Sequence, residues 1–326
     1  MSLFVRLVIA MVALVLLTAT SIAVLTYHNL EQAVLPRAME RVETHARLLA
    51  AELESYVRGA RSDVLGFRSA VALEGIVRAH VAGGIDPVDG TAEAAWRERM
   101  ASRYVAELNS KPAYHQFRII GLENGGREIV RVERVPATGE VRIVPESELL
   151  HRGDRDYVMK TASLAAGEVY VSPVDLSQTN GQIITPHIPT LRIATPIYAA
   201  GKPFGIVIIN VDMRPAFERL KSLTRPGGAL FVVNEGGDYL LHPDQGRVFG
   251  FEFGKTFRWQ NDFPDLAASI GSADNAAVVY RDPEGASGAA GFVTARLAGV
   301  TPISVIEMIP NSVIMAPGTA IQRNPH

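Results

Sequence analysis

Six residues in the middle of the chain carry side chains suited to holding a polar ligand: Arg118, Arg155, Tyr157, Tyr170, Asp175 and Arg192. An arginine grips a carboxylate through two parallel hydrogen bonds, and an aspartate opposite it can accept from an ammonium. A tyrosine adds an apolar ring with a polar tip. Together these types point to noncovalent binding of an amino acid or a small organic acid. Constellations for bond breaking are missing from the sequence. The eight histidines are scattered, with no pair at the three- or four-residue spacing of a helical metal site. There is no cysteine, which excludes disulfides, thiolate metal sites and cysteine nucleophiles. No GxSxG elbow, phosphate loop or GxGxxG occurs, so no cofactor is expected. An anchored hydrolase would need a nucleophile–base pair that the sequence does not show.

Each of these residues also has a purely structural reading. Arg118, Arg131 and Asp175 could form an internal ion-pair set that ties strands to a loop, since buried arginines are usually paired. Tyr170 could be a core aromatic with its hydroxyl at the edge. Glu128 and Arg131 stand three apart on an expected strand, so they should face opposite sides and not pair.

The elements that must position these side chains are short and mixed. Glu168–Val174, Thr190–Tyr198 and Phe204–Val211 read as strands of an antiparallel meander. Ala199-Ala200-Gly201-Lys202 reads as the hairpin between the last two. Ser177–Gly181 is a polar loop with no packing residues, of the kind that closes over a ligand. Upstream, Tyr114–Ile120 and Glu128–Val135 form a strand pair around the turn Glu123-Asn124-Gly125-Gly126, and Glu140–Val144 extends it. Helices are expected over Ala92–Leu108, His151–Leu164 and Pro215–Arg225. After Pro226-Gly227-Gly228, strands are expected at Ala229–Asn234, Asp238–Leu241, Ala276–Tyr280, Ala289–Arg296 and Ile303–Met308, with a short helix over Phe263–Ile270.

The run Glu-Val-Tyr-Val-Ser-Pro-Val-Asp-Leu from Glu168, the run Pro-x-x-Pro-x-x-Arg-Ile-Ala-Thr-Pro-Ile-Tyr from Pro186, and Gly205-Ile-Val-Ile-Ile-Asn210 carry a resemblance. They resemble the distal module of double Cache sensor domains. These are the PAS-like extracytoplasmic parts of bacterial histidine kinases, diguanylate cyclases and chemoreceptors. The resemblance covers most of the chain. It implies an α+β fold of two tandem PAS-like Cache modules with antiparallel sheets behind a transmembrane helix and a long stalk helix. It also implies that Arg155-Asp156-Tyr157 stands where amino-acid-binding relatives carry an Arg-x-aromatic pair, and Asp175 near their ammonium-binding aspartate. The chain departs from that motif in having fewer aromatics.

The 326-residue chain is 48% hydrophobic and 20% charged, as a globular protein is, and its net charge of −2 offers no basic surface to nucleic acid. Leu7–Asn29 is free of charge; about 23 residues at 1.5 Å each give roughly 34 Å, enough to cross a bilayer core. Arg6 on the short side places the bulk of the chain outside the cytoplasm. Ser21-Ile22-Ala23 could serve as a signal-peptide cut, but the apolar run continues past it and favours a retained single-pass anchor in the inner membrane. Leu35, Met39, Val42, Ala46, Leu49, Leu53 and Tyr56 then form a heptad-like seam, with Pro36 in its first turn and Gly59 as an interruption. The seam suits a homodimer through the stalk; a helix lying on its own domain is the plainer reading, and the two are compatible if one face packs on the sheet while the seam meets a second chain. The expected organisation is anchor 1–29, stalk 30–80, distal module 81–225, proximal module 226–312 and tail 313–326. The expected function is extracytoplasmic ligand sensing in signal transduction; the alternative is a periplasmic module that docks another protein and binds no small molecule.

Overall fold

The structure is a computed structural model that describes residues 3–314, apart from 180, 272, 282–284 and 286; within the first helix the side chains of 3–10, 23 and 26–35 stand outside the description. In chain order it comprises α1 (Leu3–Arg68), α2 (Val71–Val81), α3 (Glu93–Ser110), β1 (Tyr114–Gly121), β2 (Glu128–Arg134), β3 (Val141–Ile143) and α4 (Asp156–Ala162). Four two-residue strands follow, β4 (Tyr170–Val171), β5 (Asp175–Leu176), β6 (Gln178–Thr179) and β7 (Gln182–Ile183), then the long β8 (Pro189–Ala199) and β9 (Lys202–Asp212). The remainder is α5 (Arg214–Leu223), β10 (Ala229–Asn234), β11 (Tyr239–Leu241), α6 (Trp259–Asp262), α7 (Pro264–Ile270), β12 (Asn275–Arg281), β13 (Ser287–Leu297), β14 (Thr301–Pro310) and α8 (Asn311–Ile314).

The architecture is α+β with antiparallel pairing throughout. The first sheet runs β3-β2-β1-β9-β8-β4, with β5 also paired to β8; the second runs β11-β10-β14-β13-β12. The β8–β9 hairpin turns through Ala200 at φ 48° and Gly201 at φ 78°, two left-handed positions of the kind a tight hairpin requires. The strand expected over Glu168–Val174 survives only at its centre. Pro173 has no N–H to give the ladder, which breaks the run between β4 and β5.

Helix α1 is a single rod of 66 residues that packs on both sheets. Glu54 Oε1 accepts from Arg296 N at 3.0 Å on the second sheet, and two residues on Tyr56 donates to the Asp212 carbonyl at 2.9 Å on the first. One buried cluster therefore runs from Phe117, Ile193 and Val207 along α1 to Val232, Val293 and Val305. The far face of the second sheet has its own core of Phe231, Tyr239, Trp259 and Phe292 under α6 and α7.

Three expectations about this helix are corrected. Gly59 does not interrupt it, because Val57, Ala60, Val64 and Phe67 are all buried on the core, and that packing outweighs a glycine penalty of about 1 kcal/mol. The break comes instead at Ser69-Ala70. Pro36 lies in the helix interior, since the apolar run and the stalk are continuous. The seam residues Val42, Ala46, Leu49 and Leu53 are at most 1% exposed within the single chain. They are spent on its own sheets, so they do not present a seam to a second copy. Among the described residues no helix is long and apolar enough to cross a membrane; the anchor expected over 1–29 falls in large part outside the described side chains.

Candidate functional site

Strand alternation gives the first sheet two unlike faces. Phe117, Ile119, Val130, Val132, Ile193 and Val207 point to the α1 side. The opposite face is divided. Over one half, Val158 and Tyr157 of α4 cover Ile120, Ala194, Ile206 and Ile208. Over the other half the same strands present Gln116, Arg118, Arg131, Glu133, Arg192 and Asn210, all at most 9% exposed. A cavity of about 620 Å³ opens there. Its walls are this polar half-face, the approach to α4 from Arg152 to Tyr157, and the segment from Asp175 to Thr185. The loop expected at Ser177–Gly181 is partly regular: β6 and β7 pair as a small hairpin at the rim.

Five of the six expected residues line this cavity: Arg118, Arg155, Tyr157, Asp175 and Arg192. Tyr170 does not; it sits on β4, paired to Ala194, outside the lining. Two guanidinium groups approach the ring of Tyr157, Arg118 at 5.5 Å and Arg192 at 5.4 Å from its centroid. Both oxygens of Asp175 accept from Arg192, at 2.6 and 2.7 Å. Arg118 donates to the Tyr157 hydroxyl at 3.1 Å and to Asn210 Oδ1 at 3.3 Å, and Asn210 donates on to Gln116 at 3.0 Å.

The expected separation of Glu128 from Arg131 is corrected. Ile119 pairs with Val130 but Ile120 pairs with Glu128, so Ile129 is an extra residue in β2. That bulge reverses the alternation and brings Glu128 to the face of Arg131, at 3.7 Å. Glu128 is fully buried and also meets Arg118 at 3.4 Å and Arg152 at 3.6 Å. The expected ion-pair set therefore exists with different members: Glu128 and Glu133 hold the arginines, and Asp175 belongs to Arg192 alone.

Burial shifts several groups. It pushes His115 down to about 3, with Asp212 opposing and Arg192 and Arg118 reinforcing, so this histidine is neutral. It raises the Asp175 carboxyl against the pull of Arg192. Burial and the neighbouring Arg118 hold the Arg152 guanidinium below its usual range. Arg155, half-buried at the cavity wall, has no ion pair among the described residues.

Sequence reasoning missed Gln116, Glu133, Asn210, Arg152 and His115 as lining residues. Gln116 and Glu133 stand two places from Arg118 and Arg131, and a polar pair at period two on an apolar strand is a usable signal. Asn210 closes an otherwise apolar run. His115 occupies a second bulge, between Tyr114 and Gln116, and nothing in the sequence marks it.

The segment that carries Asp175 is also held by Thr301 of β14 and by Glu252 of the turn between β11 and α6. Thr301 Oγ1 donates to the carbonyls of Val171 and Ser172, each at 3.1 Å. Leu176 N donates to Glu252 Oε1 at 3.0 Å.

Residues 90–279, more than half of the chain, match the family described as the sensor domain of bacterial histidine kinases. The chain belongs to that family. This histidine kinase sensor domain is similar in fold to the extracellular domain of the histidine kinase vpHK1S-Z8, with a TM-score of 0.70 and 18% identity over 88% of this chain and 98% of that one. It is also similar to a domain of a sensory box/GGDEF family protein from Vibrio parahaemolyticus, with a TM-score of 0.64 and 18% identity over 84% and 99% of the two chains. A third likeness is to the ligand-binding domain of the Pseudomonas aeruginosa amino acid chemoreceptor PctC in complex with GABA, with a TM-score of 0.51 and 17% identity over 81% and 96%. No curated protein matches the sequence. The family is one of sensor domains, not of catalytic ones, and the resemblance to extracytoplasmic sensors is borne out.

Proposed function

We propose that this sensor domain binds a small polar ligand bearing a carboxylate, an amino acid or an organic acid, in the cavity of the first sheet. The observation that carries the reading is the charge of the lining: seven arginines against four carboxylates, with Arg155 in no ion pair among the described residues. Chemoreceptor PctC, whose fold is similar, is seen with GABA. In this reading 81–225 is the membrane-distal module and 226–312 the proximal one. Residues 1–29 anchor the chain in the inner membrane, and the rest lies in the periplasm. Leu14, Leu16, Leu17, Ile22 and Leu25 are all more than 60% exposed along α1, which supports a lipid-facing segment there. A homodimer through the stalk would use the outer strip of α1, where Leu48 is 54% exposed, and not the buried seam.

The test is a thermal-shift screen of the full chain in detergent with amino acids and organic acids. At least one compound raises the melting temperature, and Arg192→Ala abolishes the rise. If none does, the cavity is not a small-molecule site and the protein-docking alternative takes its place.

A further inference from the structure

We propose that the occupant of this cavity is a small organic or inorganic anion carrying two or more negative charges, and not a zwitterion. The inference rests on the reading of this cavity as a small-molecule site and specifies its ligand by charge. An amino acid needs a free carboxylate for its ammonium. Here each carboxylate on the inner wall already faces a guanidinium, and the half-exposed Asp175 is the least enclosed of them. Asp175 gives both oxygens to Arg192. Glu133 receives Arg131, Arg142 and Gln116. Glu128 is surrounded by Arg118, Arg131 and Arg152, and it also accepts from Leu150 N at 3.1 Å. Only Asp154 and Asp156 remain, both exposed at the rim.

The positive side is in surplus. Three guanidinium groups, of Arg118, Arg131 and Arg152, share the buried Glu128, Arg131 and Arg142 share Glu133, and Arg142 also reaches the exposed Glu148 at 3.0 Å. Arg155, also on the lining, adds a further charge with no ion pair among the described residues. Donors are left over too: Nε of Arg118 and Nε of Arg152 are buried without a hydrogen bond. Nε of Arg152 approaches Glu128 only at 3.6 Å, beyond hydrogen-bond range. Buried unpaired charge is costly, and a guanidinium fork matches carboxylate and phosphate oxygens alike. A ligand with one negative charge leaves most of the surplus in place; one with two or three offsets it.

The experiment uses the full chain in detergent and isothermal titration with probes matched in size. Succinate, butyrate and 4-aminobutyrate share a four-carbon skeleton with two, one and no net negative charges; citrate and inorganic phosphate are added. Concentrations stay below the range in which such anions stabilise proteins by exclusion from their surface. Binding of succinate, citrate or phosphate, weakening with salt, is the expected result, and it is tighter than that of butyrate or 4-aminobutyrate. Arg155→Ala weakens it by roughly tenfold or more and leaves the melting temperature of the unliganded chain unchanged. Which polyanion binds tightest separates a polycarboxylate from a phosphate. Binding of 4-aminobutyrate or butyrate in preference to all three polyanions overturns this inference and leaves the binding reading standing. Binding of no probe overturns both.

Discussion

Glu128 is the residue whose role changes most between sequence and structure. As one of many glutamates it attracts no notice, yet it is fully buried with three arginines around it. Replacing it by glutamine leaves those guanidinium groups facing a neutral amide. Loss of one partner from a buried ion pair costs about 3–5 kcal/mol, so Glu128→Gln lowers the thermal midpoint sharply, and added citrate recovers more of the loss than it gains for the parent chain. His115 supplies a pH signature. It is neutral in the fold, held down to about 3 by burial, with Thr190 Oγ1 at 3.2 Å from Nε2. The unfolded chain protonates this ring near pH 6.5 while the folded chain refuses the proton. Stability present above that point is therefore lost as pH falls, by up to about 1.4 kcal/mol per pH unit. Melting curves of the parent and His115→Gln taken between about pH 4 and 6 check this, and the parent has the steeper slope. Asp175 and Glu307, whose carboxyls are both raised by burial, act in the opposite sense and cancel in that comparison.

At the scale of the element, most strands were readable because apolar alternation and turn residues coincide. The β8–β9 hairpin and β10 through β14 fall within a few residues of their expected places. Of the cavity, Arg118, Arg155, Tyr157, Asp175 and Arg192 were readable from residue type and from the family resemblance. What was not readable follows from local geometry. The bulge at Ile129 shifts the parity of β2 by one and moves Glu128 across the sheet; no feature of EIVRVER announces it. Arg152 precedes α4 and reaches the site only because the chain turns there. The heptad-like seam of α1 is real, but the spacing cannot say what it meets. It meets the second sheet, most closely at Gly291, where an added Cβ would stand 2.7 Å from the Val42 carbonyl. Gly291→Ala therefore forces α1 outward, with an expected cost of about 1–3 kcal/mol, measured as a lowered melting temperature of the full chain.

At the scale of the whole molecule, the proposed topology places both sheets on the far side of the membrane. An alkaline phosphatase fused after residue 312 is then active, and a reporter that works only in the cytoplasm is silent there; the reverse pattern removes the anchor reading. The two sheets are not independent beads on that anchor. They share α1, and the stretch from Tyr170 to Leu176 is gripped by Thr301 of β14 and by Glu252 of the turn between β11 and α6, while Asp175 within it holds Arg192 on the first sheet. The helix, the first sheet, the bridging stretch and the second sheet thus close a ring of contacts. Under the proposed binding, an occupant that shifts Asp175 would strain the hold of Thr301 and Glu252 on the same stretch.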